Sequence, residues 1–373
     1  MKFRCERDAL LDAIGVAARA ATTRGGALPA LSGVRMELTG DTLHLAGSDL
    51  DLTMQVELNV AAEAEGVCVV PARLTTDIIR AIEPGAVSFS VDGGEAIISA
   101  GRSQFAVRVL AAEEFLRLPE PSSEGVTLEA SALSEALQQV VPAASHDDAR
   151  PILTGVLMAA EGEGVRLVAT DSYRLALRDL PGTSFLAEGQ HVLVPSRALG
   201  ELTRVLSGAK EVTLRLGSDD ASFTVGTIRL TTRLIEGEFP NYGQLIPDSY
   251  PNRVTLTKEP FLDAVRRVKL LAREAAPIRL SLRSDMIELT AITQDVGQAR
   301  EEVDVKYEGA EMVVAFNPEF LIDGIEATAG EQVTLETLDS LKPATIRPIE
   351  GSAGPERPKS GSFLYLLMPV RVS

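Results

Sequence analysis

Three stretches of the sequence resemble one another: LPALSGVRMEL (28–38), RPILTGVLMAA (150–160) and APIRLSLRS (276–284). Each leads into a second apolar strand and then to an aspartate. These aspartates, Asp49, Asp171 and Asp295, lie 122 and 124 residues apart. Self-similarity at a fixed spacing indicates a repeated structural unit. The chain is therefore predicted to contain three copies of one unit.

Two further anchors repeat with the same period. A helix opener recurs as ALLDAI (9–14), ALSEAL (132–137) and PFLDAV (260–265). A strand that ends in proline and opens a second helix recurs as VVPARLTTDIIRAI (69–82), LVPSRALGELTRVL (193–206) and AFNPEFLIDGIEAT (315–328). A proline in the first turn suits a helix start, since its missing N–H has no partner there. The three anchors predict domains at residues 1–120, 126–248 and 253–373.

Each copy reads as a helix, strands, a second helix and more strands. In VSFSVDGGEAIISAG (87–101), period-two alternation surrounds Asp92-Gly93-Gly94, a pattern typical of a β-hairpin. In the second helix of the first copy, Leu74, Ile78 and Ile82 are predicted to form the buried stripe, and Leu199, Leu202 and Leu206 repeat it in the second copy. Two helices covering a mainly antiparallel sheet give an α+β fold class, with six helices and roughly two dozen strands.

Composition excludes several functions. Lys plus Arg is 36 and Asp plus Glu is 53, so the net charge of −17 argues against strong electrostatic binding of nucleic acid. Only Cys5 and Cys68 are present, and no apolar run approaches the length that spans a bilayer. The N-terminal stretch lacks the apolar region of a signal peptide, so we expect a cytoplasmic protein without membrane contact.

No catalytic motif is present in the sequence. It contains no GxxxxGK[ST] loop, no GxGxxG after a strand, no HExxH and no GxSxG. His146-Asp147-Asp148 is the best metal candidate, but consecutive side chains point in different directions, so a solvated loop is favoured. We therefore expect no enzyme activity, no cofactor and no metal site.

Over its whole length the chain resembles the bacterial DNA polymerase III β subunits, the replicative sliding clamps. The motifs that carry this resemblance are LPALSGV (28–34), RPILTG (150–155), TDSYRLA (170–176), EFPNYGQLIP (238–247) and MPVR (368–371). The resemblance implies three similar DNA-clamp domains and a head-to-tail homodimer that closes into a ring. Double-stranded DNA would be encircled without sequence preference, and enclosure would hold DNA despite the acidic net charge. The chain would be a non-catalytic accessory subunit that confers processivity.

The resemblance also implies partners and residue roles. The DNA polymerase III α subunit, the clamp loader, other polymerases and repair proteins would each insert a Leu/Phe-bearing peptide into an apolar pocket. The matching pocket positions are Leu153, Thr170, Ser172, Arg174, Leu175, Pro240, Gln244, Leu245, Leu367, Met368, Pro369, Val370 and Arg371. The DNA-facing positions are Arg24, Arg73, Arg80, Arg150, Arg197, Arg204, Arg266 and Arg267. The dimer interface would use Arg102, Phe105, Val107, Leu270 and Leu271.

Some positions depart from the family pattern. Gln244 stands where many relatives carry Arg, and Ser172 stands where many carry Gly. Pro151-Ile152 replaces an aromatic pair that some clamps hold against DNA, and Arg24 lies one position early in its loop. The alternative hypothesis is a protein-binding scaffold of the same fold that does not encircle DNA. An enzyme on a repeated α/β domain is disfavoured because it would lack a site.

Overall fold

Six helices form at the places that the repeat predicts. The computed structural model describes residues 1–22, 28–118, 124–247, 249–272, 276–349 and 363–371. Within these ranges the helices are α1 (Arg7–Ala18), α2 (Ala72–Ala81), α3 (Ala130–Val140), α4 (Ser196–Val205), α5 (Lys258–Lys269) and α6 (Pro318–Ala327). None of them is long and apolar enough to cross a membrane.

The strands between the helices pair antiparallel throughout the described ranges. The first copy contains β1 (Lys2–Glu6), β2 (Gly33–Thr39), β3 (Thr42–Ser48), β4 (Leu52–Asn59), β5 (Ala61–Ala64), β6 (Gly66–Pro71), β7 (Ala86–Asp92), β8 (Glu95–Ala100) and β9 (Ser103–Arg108). The second contains β10 (Val126–Glu129), β11 (Gly155–Glu161), β12 (Gly164–Thr170), β13 (Arg174–Pro181), β14 (His191–Pro195), β15 (Glu211–Leu216), β16 (Asp220–Val225) and β17 (Ile228–Arg233). The third contains β18 (Asn252–Thr257), β19 (Ile278–Leu282), β20 (Met286–Thr293), β21 (Gly297–Asp304), β22 (Lys306–Glu308), β23 (Met312–Phe316), β24 (Gln332–Thr337), β25 (Ala344–Pro348) and β26 (Phe363–Leu367). The predicted α+β fold class is confirmed.

The chain divides into two compact units. One comprises Met1–Ser131 with Arg197–Leu234, and the other Ala132–Ser196 with Ile235–Ser373. The first unit holds a five-stranded sheet (β5-β1-β7-β8-β9) and an eight-stranded sheet (β10-β15-β16-β17-β4-β3-β2-β6). The second holds a nine-stranded sheet (β14-β11-β12-β13-β26-β25-β24-β18-β22) and a four-stranded sheet (β21-β20-β19-β23).

Helices cover one face of these sheets in each unit. In the first unit α1 packs on β3 and β4 and also against α2. In the second, α5 packs on β20 and β21 and against α6, and α6 contacts β26. This arrangement buries the apolar face of each helix, since a sheet and an amphipathic helix exclude water only by covering one another.

The buried face of α2 differs from the predicted stripe. Leu74 is 52% exposed and Ile78 is half-buried, whereas Ile82, just after the helix, is buried as predicted. The helix instead buries Ala72, Thr75, Thr76 and Ile79. The hydroxyl of Thr76 donates to the Ala72 carbonyl (2.7 Å), so this polar side chain is satisfied inside the helix and gives no apolar signal in the sequence. The corresponding stripe in α4, formed by Leu199, Leu202 and Leu206, is buried as predicted.

Three turns confirm the repeat at the level of backbone conformation. Among the described residues other than glycine, only Leu50, Ser172 and Asp295 have positive φ, at 88°, 82° and 63°. They are 122 and 123 residues apart and each follows the third strand of its copy. The aspartate anchor is less regular than predicted, because Asp295 occupies the positive-φ position while Asp49 and Asp171 precede it by one residue.

Gly47 allows the close approach of α1 to β3. A Cβ at this position would lie 2.0 Å from the Ala17 carbonyl oxygen. We expect Gly47→Ala to lower the free energy of unfolding by roughly 2–3 kcal/mol, because backbone must move to relieve the overlap. Urea unfolding would measure this. In the matched control Gly15→Ala, no atom lies within 4 Å of the new Cβ, and we expect a gain of about 0.5–1 kcal/mol. Equal midpoints for both variants would contradict the close approach.

Candidate partner-binding pocket and DNA-facing surface

The motif TDSYRLA (170–176) forms a tight polar turn between β12 and β13. The Asp171 carboxylate accepts the backbone N–H groups of Tyr173 (2.9 Å) and Arg174 (3.0 Å). The Thr170 hydroxyl accepts the N–H of Ser172 (3.1 Å) and donates to the Arg174 carbonyl (2.6 Å). Ser172 adopts the positive φ that glycine takes without strain. The departure from glycine is thus accommodated by hydrogen bonds within the turn.

Arg174 is buried and fully engaged within its own unit. Its Nε donates to Asp171 (3.0 Å) and its Nη1 to Asp323 on α6. The guanidinium carbon lies 4.3 Å from the centroid of the Phe320 ring. Two carboxylates and an aromatic face compensate for the desolvation of this charge. Arg174 therefore ties the turn to α6 and offers no free cation to a partner.

An apolar cluster lies beside this turn. Its buried members are Leu157, Val168, Leu175, Leu177, Leu193, Leu364 and Leu366. Partly buried side chains packed against it are Ile152, Ala159, Ile235, Phe239, Tyr242, Ile246 and Met368. Of the predicted pocket residues, Leu175 and Met368 belong to this cluster. Sequence reasoning missed Leu177 and Leu366, although period-two alternation places them on the same face as Leu175 and Leu364.

The other predicted pocket residues are distributed around the cluster. Leu367 is fully buried outside it, because alternation along β26 places Leu367 on the face of Tyr365, which contacts α6. Leu153 and Thr170 are buried, whereas Ser172, Pro240, Gln244 and Leu245 are exposed. The half-buried tail, Met368, Pro369 and Val370, ends in exposed Arg371.

Two backbone hydrogen bonds hold the tail in place. The N–H of Met368 donates to the Tyr173 carbonyl (2.9 Å), and that of Val370 donates to the Ala315 carbonyl (2.8 Å). The backbone of Met368 is therefore tied to the turn, and its side chain packs against the apolar cluster. A flexible methionine at the edge of an apolar surface can repack around different hydrophobic anchors. The geometry suits a groove for short apolar peptides.

The predicted DNA-facing residues lie on helices and one loop. Arg73 and Arg80 are on α2, and both line a groove of about 740 Å³ that this helix forms with residues of α1. Arg197 and Arg204 are on α4, and Arg266 and Arg267 on α5. Arg150 donates to the Ser172 hydroxyl (3.2 Å), next to the pocket. Arg24 lies outside the described residues.

The predicted interface residues lie at two sheet edges. Phe105 and Val107 are on β9, the edge of the five-stranded sheet, and Arg102 is in the turn before it. Leu270 and Leu271 follow α5, which packs on the edge strand β21. Leu270 is 75% exposed.

Three similar α+β copies with helices packed on antiparallel sheets define the DNA-clamp fold, and comparisons with known proteins agree. The sequence matches the DNA polymerase III beta subunit in its N-terminal domain (1–119), central domain (127–241) and C-terminal domain (243–354). It is 35% identical to the beta sliding clamp of Streptomyces coelicolor, over all of both chains. The chain belongs to the DNA polymerase III beta subunit family. It acts as a beta sliding clamp, a non-catalytic subunit that confers processivity on DNA polymerase III.

Solved structures show the same fold. The sliding clamp of Bartonella birtlesii, solved with griselimycin bound, matches over all of both chains with a TM-score of 0.90 and 27% identity. The DNA polymerase III beta subunit of Pseudomonas aeruginosa matches with a TM-score of 0.88 and 29% identity, again over both whole chains.

Proposed function

We propose that two copies of this chain close head to tail into a ring around double-stranded DNA and that the apolar cluster recruits partner proteins. The domain boundaries 1–120, 126–248 and 253–373 belong to this proposal, as does a cytoplasmic location. The partners are duplex DNA, the DNA polymerase III α subunit, the clamp loader, other polymerases and repair proteins. The main support for the ring is that the two junctions between copies within the chain are formed by the same pair of equivalent strands.

Both junctions within the chain join equivalent strands. Between the first and second copies, β4 pairs with β17, with Met54 opposite Leu230. Between the second and third, β13 pairs with β26, with Ala176 opposite Tyr365. Met54 and Ala176 are 122 residues apart, one repeat. At each junction, the strand that follows the turn of one copy therefore pairs with the last strand of the next copy.

The same rule would join the third copy to a first copy, through β21 and β9. Within one chain, each of these two strands has only one neighbouring strand among the described residues. In the third copy β21 takes the place of β4 and β13, since Leu289 pairs with Glu301 as Leu45 pairs with Val56. In the first copy β9 takes the place of β17, since Ile98 pairs with Phe105 as Phe223 pairs with Leu230.

Both strands stand at sheet edges, where unpaired backbone groups favour the addition of another strand. The rule predicts antiparallel pairing of β9 with β21 of a second copy, with Phe105 opposite Ala299. In this register Phe105 takes the place of Leu230, and Ala299 takes the place of Met54. The hairpin of β20 and β21 is one residue longer than that of β3 and β4, so the register is counted from the pairing of Leu289 with Glu301. Two such contacts between two chains close a ring.

Recruitment is supported by the pocket geometry. Leucine or phenylalanine side chains of a partner peptide would pack on the cluster around Leu175 and Leu366, with Met368 adapting to each anchor. The exposed Ser172, Tyr173 and Gln244 would form its polar rim. One apolar groove can thus serve several partners.

Retention on circular DNA tests the ring. We expect the chain, loaded by its clamp loader on nicked circular DNA, to stay bound at about 0.5 M salt, at which phosphate contacts weaken strongly, and to leave once the circle is cut. Gel filtration of the loaded DNA, before and after the circle is cut, would measure how much of the chain stays bound. Loss from the closed circle combined with normal binding of a Leu/Phe peptide would instead support the scaffold that does not encircle DNA.

A further inference from the structure

Most of the arginines that are predicted to face DNA already bind a carboxylate of the same chain. Four of these pairs share one spacing, with the acid three residues before the arginine. They are Asp77–Arg80 (2.9 Å), Asp147–Arg150 (2.9 Å), Glu201–Arg204 (4.0 Å) and Asp263–Arg266 (3.1 Å). The spacing recurs with the repeat, since Asp77 and Glu201 are 124 residues apart.

Three more pairs are formed by acids distant in sequence, and one of them gives Arg266 a second carboxylate, Glu326 at 2.6 Å. Arg267 makes two parallel hydrogen bonds to Glu301, at 2.5 and 2.7 Å. Arg197 binds Asp49, whose carboxylate also accepts the N–H of Leu52 (2.9 Å) and is only 16% exposed. Among the described members of the DNA-facing set, Arg73 alone has no carboxylate within 4.0 Å. The acids are therefore a regular property of this surface.

Helix stabilisation accounts for only some of these pairs. An acid three residues before an arginine supports a helix, yet Asp147 and Arg150 lie in a turn outside the helices. Asp49 also lies in a turn, and it reaches Arg197 across 148 residues of sequence. What the pairs share is that each acid binds an arginine predicted to face DNA.

We propose that these carboxylates compete with DNA phosphates for the DNA-facing arginines and so keep the contact of the ring with DNA weak enough for fast sliding. The inference rests on the proposed encirclement of DNA. A phosphate must share each arginine with its carboxylate or displace that carboxylate, and each carboxylate adds repulsion near the polyanion. The hydrogen bonds from Arg267 hold the pKa of Glu301 below its usual range, so this competitor stays charged at neutral pH.

The test removes four competitors and keeps their shapes. The variant carries Asp49→Asn, Asp77→Asn, Asp147→Asn and Glu201→Gln, and each of these acids is the only carboxylate within 4.0 Å of its DNA-facing arginine among the described residues. The matched control carries Glu37→Gln, Glu63→Gln, Glu161→Gln and Glu308→Gln, four acids on strands that pair with other cations. Both variants change the net charge by the same amount. One-dimensional diffusion of loaded rings on DNA and the salt dependence of unassisted duplex binding are the two measurements.

We expect the first variant to diffuse at least about threefold more slowly than the control. Its salt slope should steepen by roughly 2–4, since each additional phosphate that an arginine neutralises adds about 0.9. Equal diffusion and equal slopes for the two variants would overturn the inference. Should the quadruple variant fail to assemble, Glu201→Gln alone frees both Arg19 and Arg204 and should give an intermediate slope. Failure of the unmodified chain to stay on nicked circles would instead overturn the encirclement.

Discussion

Deletion of residues 368–373 is expected to weaken binding of a Leu/Phe-bearing peptide at least about 100-fold, the size typical of losing a central anchor of an interface. The deletion removes Met368 from the apolar cluster and removes the hydrogen bonds to Tyr173 and Ala315. It leaves β26 intact, with Leu366 still opposite Leu175. Fluorescence anisotropy of a labelled synthetic peptide would measure the loss.

The control for this deletion removes residues 372 and 373 alone, which should leave peptide affinity within about twofold because few interface residues carry most of the binding energy. Solution mass and the unfolding midpoint of both proteins should equal those of the full chain. Full peptide affinity in the longer deletion would show that the tail is no part of the pocket.

Leu270→Asp is expected to convert the dimer into monomers. The unmodified chain should have about twice the 39.7 kDa mass of one chain in solution. A carboxylate at Leu270 would place a charge in an apolar interface with Phe105, Val107 and Leu271, and we expect dimer affinity to fall at least about 100-fold. Because this side chain is 75% exposed in the single chain, the substitution should leave the fold intact. Sedimentation velocity at micromolar concentration would measure the mass.

Leu341→Asp is the matched control for the interface variant. Leu341 is also an exposed leucine, at 59%, and lies outside the predicted interface. It should leave the dimer unchanged. Dimers of normal stability in Leu270→Asp would contradict the proposed seam, and monomers in both variants would show that added charge alone separates the chains.

The sequence predicted the features that repeat. Two of the three anchors marked helices and the third marked a strand pair, because the same apolar spacing and the same proline near a helix start recur in each copy. The antiparallel hairpin around Gly93 followed from alternation and turn residues. Periodicity is a local property of the chain, so local elements were recovered.

Concealed polar groups and interactions between distant residues could not be predicted in this way. The predicted stripe of α2 was wrong at Leu74, because Thr76 satisfies its hydroxyl inside the helix and is buried although it is polar. The position of Leu367 outside the apolar cluster depends on the register of β26 with β13, which joins residues almost two hundred positions apart. Likewise, nothing near Arg197 in the sequence shows that Asp49 binds it.

The middle copy has a consequence for any attempt to shorten this protein. Residues 126–131 and 197–234 belong to one compact unit, and residues 132–196 and 235–248 to the other. A fragment cut at the predicted boundaries, residues 126–248, would separate β17 from β4 and β13 from β26, exposing backbone donors and acceptors along β17 and β13. The copies are thus units of ancestry and not of autonomous folding, and expression of one copy by itself should yield aggregated material.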